Sequence, residues 1–146
     1  MTNVDLRVML TRLRNSVMVK ARSVNVIYTK LNYRIAEILK EEDFIESFDY
    51  EGKHYPMQDG GCVPQYIKIM LKYKGVKQIP YITEIKRISK PGLRVYVSYR
   101  KIPKILGDMG LAKIFYSFYL STPKGLLTNK SAKFKRVGGE LLFYIW

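Results

Sequence analysis

The chain has 146 residues, with 26 Lys and Arg against 12 Asp and Glu and a formal charge of +14. Hydrophobic residues at 47% and aromatics at 13% make it too apolar for a disordered basic tail, and its length allows one domain or two small subdomains, which excludes a multidomain enzyme. Cys62 is the only thiol and His54 the only imidazole, so neither a disulfide framework nor a Cys/His metal site of usual spacing is expected, and no cofactor.

From Asp5 to Val17, Leu6, Met9, Leu10, Leu13 and Val17 recur at three- and four-residue steps, the stripe of an amphipathic helix. Arg7, Arg12, Arg14 and Asn15 fall outside it, on a solvated face or one that meets a partner. After a short strand, a second helix is expected over Lys30 to Glu42, capped by Thr29, with Leu31, Ile35, Ile38 and Leu39 facing inward. Glu41, Glu42 and Asp43 close it; adjacent positions on a helix do not face each other, so they read as a solvated terminus rather than paired catalytic acids. Phe44 to Tyr50 reads as a strand, followed by a breaker-rich loop, Glu51 to Pro64. Gln65 to Tyr73 alternates, with Ile67, Ile69, Leu71 and Tyr73 on one side, and should form a hairpin with the preceding strand.

A boundary between Gly75 and Pro80 leads into a mostly β half, giving subdomains 1–76 and 77–146 and an α+β fold class. Tyr81 to Ile88, Leu93 to Tyr99, Leu111 to Leu120 and Glu140 to Trp146 have strand composition. A helical turn is expected after Pro103, and a short helix capped by Thr128 would carry Lys130, Lys133, Lys135 and Arg136. No apolar run reaches the roughly 20 residues of a membrane span, and the N-terminus lacks signal-peptide character, so a soluble protein of a reducing compartment is expected.

Charge is unevenly placed: residues 1–73 hold 11 Lys and Arg against 9 Asp and Glu, residues 74–146 hold 15 against 3. A folded half with that field calls for an anionic partner such as RNA, DNA or an acidic membrane. Phosphate-loop and nucleophile-elbow motifs are missing, and His54 has no local acid or nucleophile beside it. Ser121-Thr122-Pro123-Lys124-Gly125 is a tight, hydroxyl-rich turn; its hydroxyls, amides and Lys could meet phosphates and ribose 2′-hydroxyls, or it could be an ordinary strand-to-helix turn. Gly138 and Gly139 read as a turn into the last strand. Glu140, one of three acids in the basic half, reads either as a specificity residue accepting a base proton or orienting a cation, or as a rim salt bridge.

Six stretches in order resemble the bacterial-type small-subunit ribosomal protein S-eight family: Met9 to Asn15, Ile35 to Ile45, Ile85 to Tyr96, Ile102 to Gly107, Ser121 to Thr128 and Gly138 to Glu140. The resemblance implies an α+β protein of two subdomains that binds the central domain of small-subunit rRNA and neighbouring small-subunit ribosomal proteins. It implies no membrane and no small-molecule substrate. By motif position the main RNA contacts would be Ser121, Thr122, Lys124, Gly125 and Glu140, with Thr11, Arg12, Arg14 and Asn15 secondary, and Arg87 and Arg94 joining them from the third stretch. Pro123 replaces the family's usual small hydroxyl residue, removing a hydroxyl and an amide donor while fixing φ. Lys113 to Leu120 is longer than the family's equivalent; a longer strand or hairpin is expected there, with outward apolar residues covered by a neighbouring protein.

An RNA-processing enzyme would have to draw on Asp108, Glu84, Glu140 or His54, which form no recognisable cluster, and a basic membrane-surface protein would need an amphipathic basic helix. The leading reading is a non-catalytic rRNA-binding protein. The AT-leaning composition and absence of a transit peptide point to a chloroplast (plastid) ribosome, with a mitochondrial ribosome or a bacterial cytoplasm as alternatives.

Overall fold

The computed structural model describes residues 3–50, 65–101 and 117–146. The loop 51–64 with His54 and Cys62, the turn expected after Pro103, Asp108, and the first part of the strand expected from Leu111 lie outside those residues. The chain divides into two compact units, Met1–Ile82 and Thr83–Trp146.

In the first unit, α1 (Asn3–Met18) and α2 (Lys30–Glu41) accompany a sheet of β1 (Ser23–Ile27), β2 (Ile45–Tyr50) and β3 (Tyr66–Leu71), in the order β1-β3-β2 with all pairs antiparallel. The expected stripes are the buried ones: Leu6, Met9, Leu10 and Leu13 from α1, and Leu31, Ile35, Ile38 and Leu39 from α2. Val24 faces Ile69 and Val26 faces Ile67 across the ladder, so the buried side of β3 is the side its alternation marks. The Thr29 hydroxyl accepts from the Asn32 amide at 3.0 Å, capping α2 as its sequence indicates. Glu41, Glu42 and Asp43 are exposed at its end.

Strand β3 stops at Leu71, and Tyr73 belongs instead to a two-residue strand, β4 (Tyr73–Lys74), paired with β5 (Ile79–Pro80). The stretch Gly75 to Pro80 thus contributes to a small hairpin, whose loop closes with Gly75 and Gln78 both at positive φ.

In the second unit, β10 (Gly139–Ile145) is central. One edge pairs with β8 (Ser117–Thr122), which continues into β9 (Gly125–Thr128) and α3 (Asn129–Lys135). Its other edge takes β6 (Ile85–Arg87) near one end and β7 (Tyr96–Val97) near the other. The strands expected over Tyr81–Ile88 and Leu93–Tyr99 are therefore short. The amides of Thr83 and Glu84 both bond the Trp146 carbonyl, and the chain between β6 and β7 leaves the sheet in a loop before returning to it. The short helix forms where expected, with the Thr128 hydroxyl accepting from the Ser131 amide at 3.3 Å.

Phe118, Leu120, Leu127, Ala132, Leu141 and Tyr144 form a core, and Tyr119 stacks on Phe143 with ring centroids 4.6 Å apart. Phe118, Tyr119 and Leu120 close the apolar stretch Lys113–Leu120, where a longer strand or hairpin was expected and a covering neighbour for whichever of its apolar residues face outward. All three are fully buried within this chain: Phe118 and Leu120 join the core on one face of β8, and Tyr119, which alternation places on the other face, stacks on Phe143.

Candidate nucleic-acid interface

Ser121 to Gly125 proves to be the turn of a β-hairpin rather than a strand-to-helix connection. Thr122 is in register with Gly125, leaving Pro123 and Lys124 as the two loop residues. Pro at the first loop position has its φ already set, and Gly125 at φ 99 takes a conformation that other residues rarely adopt. The Thr122 hydroxyl donates to the Gly125 carbonyl at 2.7 Å and accepts from the Lys124 amide at 3.2 Å. Only 9% exposed, Thr122 holds the turn, whereas Lys124 and Gly125 are exposed and Ser121 is half-buried. Strand β9 carried a signal in the sequence, the apolar pair Leu126-Leu127 directly after a turn glycine.

Gly138 and Gly139 are needed for close approach of backbones. A methyl group on Gly139 would lie 2.1 Å from the Ser121 carbonyl oxygen, and one on Gly138 would lie 2.4 Å from that of Val97. The next residue, Glu140, is in register with Ser121 on one side and Tyr96 on the other, so the three side chains form a row across one face of the sheet.

The loop between β6 and β7 supplies the counter-charge. Lys90 and Leu93 exchange two backbone hydrogen bonds of 3.0 Å around Pro91 and Gly92, the latter at φ 83, which makes a tight turn. The buried Ser89 hydroxyl accepts from the Val95 amide at 3.0 Å and fixes the base of the loop. Arg94, on the returning arm, reaches Glu140 with Nη1 at 3.2 and 3.3 Å from the two carboxylate oxygens. Glu140 is 13% exposed and Arg94 46% exposed, so the carboxylate is held from one side by a cation that solvent can reach.

The fold thus gathers Ser121, Thr122, Lys124, Gly125, Glu140 and Arg94 at one end of the sheet, where chain order had spread them over 94–140. Tyr96, 67% exposed in the same row, is a surface aromatic that residue-by-residue reading passed over; its signal was a large ring on a short edge strand. Arg87 lies further along β10, opposite Phe143, half-buried with Nε and Nη2 away from solvent. Thr11, Arg12, Arg14 and Asn15 are exposed on α1 in the other unit, where the Arg12 guanidinium donates to the Asn25 carbonyl at 2.9 Å. Among the described residues no group of three His, Cys, Asp or Glu could hold a metal, and no helix is long and apolar enough to cross a membrane.

A family model described as ribosomal protein S8 matches residues 5–146. The chain belongs to the ribosomal protein S8 family. It is 52% identical over its whole length, and that of the relative, to small ribosomal subunit protein uS8c of Euglena gracilis. It is 43% identical, again over both whole chains, to uS8c of Mesostigma viride. Cyanobacterial uS8 of Trichodesmium erythraeum (strain IMS101) is 41% identical, over 94% of this chain and 93% of the relative. With such uS8c relatives the chain is a chloroplast-type member, and its family role is structural rather than enzymatic.

Proposed function

We propose that this protein, as a constituent of the small ribosomal subunit, binds small-subunit rRNA directly in its central domain and supports assembly of that domain beside neighbouring ribosomal proteins. The observation that carries the reading is the row Tyr96, Glu140, Ser121 beside the Lys124 turn, in the half of the chain where cations outnumber acids 15 to 3. Lys124, Arg94 and the exposed backbone at Gly125 supply phosphate and ribose contacts, while Ser121 and Glu140 recognise the shape and edges of a distorted RNA helix. Thr122 shapes the turn, and Arg87 adds positive charge from the body of the sheet. Thr11, Arg12, Arg14 and Asn15 on α1 give a second, smaller contact.

Pro123 fits this role. At the first loop position no backbone donor is needed to close the hairpin, so the turn keeps its form without the usual hydroxyl.

The test is binding of the purified chain to a central-domain fragment of plastid small-subunit rRNA and to a scrambled RNA of equal length, over a salt series. Preference for the fragment that persists as salt rises supports the reading. Equal affinities that fall together with salt would show charge attraction alone and sink it.

A further inference from the structure

Helix α3 carries a feature that the row around Glu140 does not use. Phe134 is 88% exposed, and among residues 118–146 no other large apolar side chain is exposed. Ala132 is the buried side of α3, and two residues on a helix turn the chain by roughly 200°, so Phe134 points away from the core. Lys130 lies one turn earlier on the same face, and Lys133 and Lys135 are its exposed neighbours. From Lys124 to Gly139 there is no acidic residue.

The helix stop points the same way. Arg136 ends α3 in the left-handed conformation at φ 55, with the Val137 amide bonding the Ala132 carbonyl at 3.1 Å. Glycine is the residue that this position favours. Holding arginine there adds one more exposed cation at the end of the helix at the expense of backbone comfort.

A protein partner would be met by several neighbouring apolar side chains around a packed centre. A lone ring among cations has the composition of a site for one base and its flanking phosphates instead.

We propose that the outward face of α3 is a stacking platform for an unpaired RNA nucleotide, Phe134 taking the base while Lys130, Lys133 and Arg136 take the adjoining phosphates. It rests on the RNA-binding reading above and adds a contact to it. A phenyl ring has no hydrogen-bonding group, so the platform accepts any base and contributes affinity rather than sequence choice.

The test uses the full chain and a central-domain transcript of plastid small-subunit rRNA. Phe134→Leu, which keeps an apolar side chain but loses the π face, should weaken binding by roughly fivefold to a hundredfold with an unchanged salt slope. Phe134→Trp should bind as well as the parent or better, and Lys130→Ala should flatten the salt slope by about one unit. Parental affinity in Phe134→Leu would overturn the proposal and leave the RNA-binding reading standing, with α3 free for a protein. Equal weakening of the Leu and Trp variants would assign the ring to packing and overturn it as well. If the parent protein itself does not bind the transcript, both readings fail.

Discussion

Arg94 and Glu140 lie 46 positions apart in sequence, yet one guanidinium nitrogen touches both oxygens of the carboxylate, at 3.2 and 3.3 Å. The pair has two consequences. Arg94 neutralises the one acid in the row with Ser121 and Tyr96, and the half-buried Glu140 keeps oxygen lone pairs for a donor from outside. With Arg94 well exposed, the pair contributes under about 1 kcal/mol to folding.

Glu140→Gln should therefore fold normally. Its preference for the central-domain fragment over scrambled RNA should fall by roughly a factor of five to a hundred, the range of one well-made base contact, while affinity for the scrambled RNA rises. Filter binding of both RNAs measures it, and an unchanged preference refutes a specificity role for Glu140.

Lys124 is exposed at the tip of the hairpin. Lys124→Ala should weaken both RNAs alike and flatten the salt dependence by about one unit, with a melting temperature close to the parent's. Loss confined to one RNA would mean that the lysine reads more than phosphate.

Gly139→Ala brings a methyl group to 2.1 Å from a backbone oxygen of β8, where no flexible side chain can yield. Strands β8 and β10 must separate locally, at a cost of roughly 1–3 kcal/mol or more. Urea denaturation measures it, and a parental midpoint would refute the close approach.

Arg136→Gly should move stability and binding in opposite directions. Relief of the left-handed arginine should stabilise the chain by about 1 kcal/mol, and loss of the cation should weaken RNA binding and reduce the salt slope by about one unit. Thermal melting and a salt titration on the same variant give both readings, and a variant that is both weaker and less stable contradicts the assignment.

In the first unit, the Tyr73 hydroxyl donates to the Ala21 carbonyl, and burial raises its pKa above the ordinary phenol value. A phenol that ionises at higher pH folded than unfolded stabilises the fold fully below pH of about 10, and that contribution is lost as pH rises through the folded value. Denaturation at neutral and at strongly alkaline pH should show a larger fall for the parent than for Tyr73→Phe. Equal falls would remove Tyr73 from the alkaline transition.

Among the described residues, all three helices stop at residues in the left-handed region, Lys20, Asp43 and Arg136, each followed by an amide that bonds back five residues. No glycine marks these positions, so the sequence carries no stop signal there. The N-terminal caps Thr29 and Thr128 were readable because a hydroxyl before an apolar stripe has one dominant use.

What the sequence determined by itself was set by local physics and composition. Apolar spacing gave the stripes of α1 and α2 and the buried face of β3, and the counts of 15 cations to 3 acids located the excess positive charge in the second half. Tertiary structure alone decided that Ser121 to Gly125 is a hairpin turn, that Gly138 and Gly139 serve close packing, and that Phe118, Tyr119 and Leu120 are buried on both faces of β8. It also brought Arg94 and Tyr96 to Glu140. The hairpin is the pairing of β8 with β9; the others depend on which strand lies beside β10, and pairing between distant segments is fixed by sheet register and burial, which no stretch of neighbouring residues encodes.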